Sequence, residues 1–173
     1  SVVRYGNVMG SRGSIIPYFI SLKDKGELPI TDKRMTRFMI TLEKGVELVW
    51  HAFEDMIGGE IYVKRIPSIK VTDIAKVIAP KAKYKIIGIR PGEKLHEQMI
   101  SNDDANSTYE FLNYFKILPQ INKWSKDKLR IKNGKKVSEN FIYNSENNSE
   151  WMTKSFLKKW INANIDYLKR MGL

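Results

Sequence analysis

Two stretches hold residue types that can do chemistry. In KIIGIRPGEKLHEQM, residues 85–99, an expected strand ends on Arg90, Pro91 and Gly92 turn the chain, and Glu93 follows. Arginine presents a planar fork that matches phosphate oxygens. A carboxylate three residues on can accept hydrogen bonds from vicinal hydroxyls, as on a ribose. The competing reading is a surface Arg–Glu pair that brackets a turn. In SVVRYGNVMGSRGSIIPYF, residues 1–19, Gly6, Gly10 and Gly13 follow a short apolar run. A glycine-rich loop between a strand and a helix is a place for phosphate, and Asp32 falls near the distance of about 20 residues at which an acid grips a ribose. The spacing is GxxxGxxG, however, and Arg12 would crowd the turn. A lone glycine spacing is weak evidence, and a tight strand-to-helix turn that needs small residues competes with it.

The elements that must carry these residues alternate. SVVRY reads as a valine-rich strand buried on both faces of a parallel sheet. Ser14 can cap a helix through IIPYFISLKDKG, with Pro17 in its tolerant first turn and Gly26 at its end. LPIT and MTRFMI are extended. Thr41 caps a second helix in which Leu42, Val46, Val49, Phe53 and Ile57 recur at helical spacing, closed by Gly58 and Gly59. EIYVKRI is a strand, TDIAKVIA a helix stopped by Pro80, YKIIGI a strand, and YEFLNYFKIL a strand or hairpin. Thr153 starts a terminal helix with Leu157, Ile161, Ile165 and Leu168 on one face. The polar stretch YNSENNSE, residues 143–150, reads as the loosest connection, which divides the chain into 1–143 and a 144–173 linker plus helix. Alternating strands and helices indicate an α/β fold, but one with too few parallel strands for a complete doubly wound sheet. The set reads as the closing portion of a larger fold.

Composition narrows the chemistry. The 173 residues include no cysteine, so disulfides and thiolate metal sites are excluded, and His51 and His96 belong to no HExxH pattern. No metal site is expected. No run approaches the roughly 18 apolar residues of a membrane span. The net charge of +11 calls for a partner hypothesis. The densest basic run is KWSKDKLRIKNGKK, residues 123–136, where Trp124 could stack on a base. Lysines along a solvated loop and sheet edge are the plainer account, since they also block edge-to-edge association.

SVVRYGNVMGSRGSIIPYF, PITDKRMTRFMI, GGEIYVKRIPSIKVTDIAK and KIIGIRPGEKLHEQM follow one another in an order that resembles the UDP-N-acetylglucosamine 4,6-dehydratases. These are extended short-chain dehydrogenase/reductases of bacterial surface-sugar synthesis. The tail YNSENNSEWM resembles the inverting, 5-epimerising branch that begins the pseudaminic acid pathway, used in flagellin glycosylation. The resemblance implies the C-terminal part of a Rossmann-like α/β fold: the last strands of the parallel sheet plus the smaller substrate-binding domain. It implies a lyase in which NADP oxidises the sugar at C4, water leaves across C5 and C6, and hydride returns to C6. By motif, Asn7 would touch the UDP-sugar, and Val8, Met9, Gly10, Ser11 and Arg12 would lie beside the cofactor. Ile15 would line the nucleotide site and Thr31 would bind uracil or ribose. Arg37 and Arg90 would hold the diphosphate, and Glu93 the ribose hydroxyls. The family's fingerprint loop, Asp–Lys pair and Tyr-x-x-x-Lys motif precede the segment that matches Ser1, and Tyr18 and Lys23 stand five apart where the motif needs four. No catalytic residue is therefore expected here. The expected partners are a UDP-sugar, an N-terminal Rossmann half and further copies of the complete enzyme, in the cytoplasm, with no membrane and no nucleic acid. A UDP-sugar C4-epimerase and a basic nucleic-acid-binding module remain as alternatives.

Overall fold

The computed structural model describes residues 1–171, and the side chains of 122, 123 and 125 are outside that description, Lys123 of the basic run among them. Its strands are β1 (Val2–Arg4), β2 (Asn7–Val8), β3 (Glu27–Ile30), β4 (Thr36–Ile40), β5 (Ile61–Lys64), β6 (Ser68–Lys70), β7 (Lys83–Ile86), β8 (Gln98–Ile100), β9 (Thr108–Glu110), β10 (Tyr114–Ile117), β11 (Lys135–Lys136) and β12 (Tyr143–Asn144). The helices are α1 (Ile15–Leu22), α2 (Leu42–Asp55), α3 (Val71–Ile78), α4 (Asn102–Ala105), α5 (Lys128–Ile131), α6 (Lys154–Ala163) and α7 (Ile165–Met171). The parallel pairs β1–β5, β2–β4 and β3–β7 are each closed by a crossover that contains a helix, as an α/β chain requires. β10, β9 and β11 extend β5 into a five-stranded sheet by antiparallel pairing, so YEFLNYFKIL forms a hairpin. β6 lies antiparallel to β4, and β12 to β8.

Two apolar clusters carry most of the core. One packs α1, α3, α6 and α7 around Phe19, Leu28, Ile74 and Leu168. The other packs the tilted rings of Phe38 and Phe115 against Tyr143 on one face of the five-stranded sheet.

The structure corrects several expectations. β1 is not buried on both faces: among the described residues it pairs only with β5, and Val2 is 54% exposed. On α2 the expected core stripe faces outward. Leu48 and Ala52 pack inward on Tyr62, whereas Leu42, Val46, Phe53 and Ile57 lie open, beside Trp50 at 65% exposure. The side that carries Leu48 and Ala52 is the one that packs on β1 and β5. The strand expected to end on Arg90 stops at Ile86, and a loop carries the chain on to residue 90. The terminal helix is two helices, because Asn164 leaves helical geometry at φ −118° and ψ 15°.

The 143–150 stretch, expected as the loosest connection, is tied down. Its polar side chains satisfy buried backbone and hydroxyl groups that would otherwise lack partners. Asn148 Nδ2 donates to Ile66 O (2.9 Å), Ser68 Oγ (3.1 Å) and Glu150 O (2.8 Å). Ser145 is fully buried. The Tyr143 hydroxyl accepts from Ile66 N and donates to Ile66 O.

Much of the basic run is also engaged within the chain. Lys132 pairs with Asp55, and Arg130 with Asp127 and Glu60. The Trp124 ring, read as a base-stacking platform, is covered by the Arg130 guanidinium at 4.2 Å.

Candidate functional site

The C-terminal end of β3, the N-terminal end of α1, β4 and the 87–93 loop converge on a cavity of about 280 Å³. Asn7, Val8, Ile15, Thr31, Arg37, Arg90 and Glu93 all line it. These residues are up to 86 positions apart in sequence (7 to 93), and three separate crossovers bring them to one place. The rest of the expected cofactor loop is placed differently. Met9 turns into the core, Gly10 is buried, and Ser11 and Arg12 are exposed.

The glycines of that loop answer to packing. A Cβ on Gly6 would lie 2.4 Å from the Phe38 Cβ and 2.6 Å from its carbonyl oxygen, so the chain can pass β4 here only without a side chain. Gly10 has φ +77°, a left-handed conformation, and a Cβ there would meet Leu168 at 2.9 Å and Trp160 at 3.0 Å. The α6–α7 hairpin thus sits directly on the loop. Asp32, the acid at fingerprint distance, is taken by Arg34, whose backbone and guanidinium hydrogen bonds hold its carboxyl down at about 2.

Arg37 is the better held of the two cavity arginines. Its side chain is 14% exposed, and Nη1 donates to Thr36 O (2.8 Å) and Leu95 O (3.1 Å). Nη2 lies 3.6 Å from Glu93 and Nε 3.8 Å from Glu97. Beyond a weak sulfur acceptor, Met35 Sδ at 3.4 Å from Nη2, those two edges of the guanidinium face only loose partners, so they can still receive an anion. Arg90 is exposed at the start of a Pro91-Gly92 turn closed by Glu93 N donating to Arg90 O (3.0 Å). The Glu93 carboxylate accepts from Arg90 N at 3.3 Å, so it braces this turn as well as facing Arg37.

Ser14, another lining residue, stands at the N-cap of α1. Its hydroxyl oxygen is buried and makes no hydrogen bond among the described residues. A capping serine ordinarily accepts from the second or third helical amide. The third position here is Pro17, which has no N–H to give.

Sequence reasoning missed a polar spine beside the cavity. Glu97 accepts from Phe38 N (2.8 Å) and from Asn7 Nδ2 (3.1 Å). Burial pushes its carboxyl up, against the lowering pull of Phe38 N, Arg37 and Asn7. Ser145 Oγ accepts from Glu97 N (2.9 Å) and sits 2.7 Å from Thr36 Oγ1, which in turn meets His96 Nδ1 at 2.8 Å. Glu97 and His96 lie inside KIIGIRPGEKLHEQM, but the partners of Glu97 are 48 to 90 residues away.

Residues 1–119 match the model of a family described as polysaccharide biosynthesis protein. Over 169 residues the chain is 53% identical to a UDP-N-acetylglucosamine 4,6-dehydratase (inverting) of Campylobacter jejuni serotype O:2, covering 93% of this chain and 50% of that protein. It is 38% identical to a UDP-glucose 4-epimerase of Rickettsia canadensis, covering 84% of this chain and 44% of the relative. Among solved structures, that of Pen from Bacillus thuringiensis superposes with a TM-score of 0.79 at 31% identity, covering 95% of this chain and 50% of that one. The chain spans about half the length of the curated relatives it matches.

Proposed function

The chain belongs to the polysaccharide biosynthesis protein family and has the α/β fold of the C-terminal part of an extended short-chain dehydrogenase/reductase, and on that premise we propose that it is the UDP-sugar-binding half of an NADP-dependent, 5-inverting UDP-N-acetylglucosamine 4,6-dehydratase. The observation that carries this reading is the convergence of Asn7, Ile15, Thr31, Arg37, Arg90 and Glu93 on one cavity. A diphosphate suits Arg37 and Arg90, because guanidinium forks give its oxygens directional, charged partners. Thr31 and Glu93 offer hydrogen-bonding groups for uracil and ribose. The free Ser14 hydroxyl adds one more polar contact on the same wall.

NADP, when bound, supplies the hydride acceptor and donor that the reaction needs. Its fit to this chain is partial: Val8 lines the cavity, and the exposed Ser11 and Arg12 beside it are free to face a cofactor, while Met9 anchors the loop in the core. No proton transfer is assigned to this chain, because among the described residues no Tyr-x-x-x-Lys or Asp–Lys pair stands at the cavity. The chain therefore binds and orients, and the acid–base groups belong to the half of its relatives that it does not span. That half would cover the open edge of β1 and the outward face of α2, where Val3, Val49, Phe53 and Met56 surround a further cavity of about 220 Å³. A cytoplasmic setting and self-association of the complete enzyme go with this reading. No helix among the described residues is long and apolar enough to cross a membrane. The epimerase relative keeps C4 epimerisation as a second reading, and the lower identity weighs against it.

Titration of UDP against the chain tests the clamp. Arg90→Ala is expected to weaken binding by roughly 1.5–3 kcal/mol, the usual size for a charged hydrogen bond. Arg90→Lys should substitute poorly, since it loses the planar fork. Unchanged UDP affinity in a well-folded Arg90→Ala protein would leave Arg90 and Glu93 as a turn brace only. The chain alone, given UDP-N-acetylglucosamine and NADP, should form no 4-keto product.

A further inference from the structure

Glu97 occupies a place that the nucleotide clamp does not explain. It is a mostly buried carboxylate that does not line the cavity, yet both of its oxygens are committed to groups that shape it. One oxygen accepts from Phe38 N in β4, which fixes the carboxylate against the strand that carries Arg37. The other accepts from Asn7 Nδ2 and lies 3.8 Å from Arg37 Nε. The Glu97 backbone is held from both directions by one buried serine. Glu97 N donates to Ser145 Oγ (2.9 Å), and Ser145 N donates to Glu97 O (2.8 Å).

The donor and acceptor inventory then fixes an orientation. An ionised carboxylate only accepts, so the Asn7 side chain must turn its NH2 toward Glu97. The amide oxygen is the group left over for a ligand in the cavity that Asn7 lines. The same carboxylate supplies a counter-charge to a guanidinium that is largely buried before any anion arrives.

We propose that Glu97, locked by Ser145, is a positioning residue that presents the Asn7 carbonyl oxygen and the Arg37 guanidinium to a nucleotide-sugar, so that Asn7 accepts from an N–H or O–H of the sugar. This rests on the reading of the cavity as a nucleotide-sugar site. It assigns to the 143–150 tail a share in the site, because Ser145 is the anchor of Glu97.

A charge-swap experiment reads this directly. In Glu97→Gln the side chain has one acceptor where the carboxylate had two. If its oxygen keeps Phe38 N, its NH2 faces Asn7, and the Asn7 amide must reverse to present NH2 to the cavity. UDP-N-acetylglucosamine affinity should fall about tenfold, and the Asn7 side-chain amide signals in an NMR spectrum should move. Adding Asn7→Asp restores the polarity at unchanged net charge. The amide introduced at position 97 then donates to one oxygen of the carboxylate introduced at position 7, and the other oxygen again accepts from the ligand. The double variant should return to within about threefold of the parent, whereas Asn7→Asp alone, with two carboxylates face to face, should bind worse than either. A merely structural role would lower the melting temperature of Glu97→Gln without this pattern of rescue. Parent-like sugar affinity in Glu97→Gln, or a double variant no better than Glu97→Gln, overturns the positioning role. If the unaltered chain binds neither UDP nor UDP-N-acetylglucosamine, the nucleotide-sugar reading itself falls. The Asn7 amide signals still decide the orientation in that case, and signals indifferent to Glu97→Gln refute it. Should Glu97→Gln fail to fold, Ser145→Ala carries the test, since it removes the hydroxyl that accepts from Glu97 N without altering the charge of Glu97. Sugar affinity unchanged in Ser145→Ala would then count against the proposal.

Discussion

Replacing Asp55 by asparagine tests what holds α2 in place, and so what holds the exposed apolar face that this helix carries. Asp55 ends the helix, and its carboxylate takes hydrogen bonds from the Tyr62 hydroxyl (2.8 Å), from Lys132 Nζ (2.5 Å) and from Lys116 Nζ. Burial alone would raise this carboxyl. The donors outweigh burial and hold it at about 2, against an ordinary 3.8. That gap corresponds to about 2 kcal/mol of stability at neutral pH. Because the folded value is the lower one, this stability is fully present above the unfolded value and is lost as pH falls from about 5 toward 2. Asparagine keeps the shape and removes the charge, but the larger cost falls on Lys116, whose side chain is 1% exposed. An uncompensated buried ammonium costs about 3–5 kcal/mol, or on the order of 10 °C in Tm for a chain of this size. Lysine to methionine at 116 in the same protein should recover most of that loss, since the charge and its counter-charge then leave together. Thermal melts from pH 7 to pH 3 on the parent, Asp55→Asn and Asp55→Asn/Lys116→Met measure all three. The reasoning is refuted if Asp55→Asn melts within about 2 °C of the parent at pH 7, or keeps the parent's full acid sensitivity.

Gly10→Ala should cost about 1–3 kcal/mol from its left-handed backbone, and more from contact with Leu168 and Trp160; a chemical denaturation series checks this, with Leu168→Ala added to ask whether relieving the contact returns part of the loss. Lys135 and Lys136 lie exposed on β11, away from the cavity, so neutralising both should leave UDP affinity within about twofold by calorimetry. Any retention on duplex DNA should collapse with added salt, as it does for non-specific phosphate contacts; sequence-selective binding at physiological salt would favour the nucleic-acid reading.

The parts of this structure that could be read from sequence are those with local causes. Arg90 and Glu93 flank a Pro-Gly turn, and Gly92 at φ +80° makes that turn as a type II geometry demands, so their nearness needed no tertiary knowledge. Thr41 and Thr153 cap their helices through side-chain oxygens three residues ahead of the bonded amide, again a local arrangement. What sequence periodicity could not supply is the identity of the neighbour. On α2 the spacing points to the stripe with Leu42, Val46, Val49 and Phe53, and nothing in it says that the narrower one with Leu48 and Ala52 faces Tyr62. The polar tail misled for a related reason. Serine and asparagine usually mark solvated loops, but at Ser145 and Asn148 they pair with backbone and hydroxyl groups from segments 48 to 109 residues earlier, and pairing at such range leaves no local trace.

Those long-range bonds bear on how the cavity works. A surface arginine such as Arg90 pays little to wait for a ligand in water, whereas Arg37, largely buried, needs partners in the ligand's absence. The chain meets that need with two backbone carbonyls held tightly and two carboxylates, Glu93 and Glu97, held at 3.6 and 3.8 Å. The tight bonds fix where the guanidinium points, and the loose ones neutralise it without closing the edges an anion would use. A diphosphate arriving beside Arg37 would therefore displace weak contacts and keep the strong ones, which favours binding without rearrangement of β4. Glu93 is the more dispensable of the two acids in this respect, since it is also tied to its own turn, while Glu97 answers to Asn7 and Phe38 as well. The division of labour between these two acids, one bracing a loop and one orienting an amide, follows from which backbone each is bonded to.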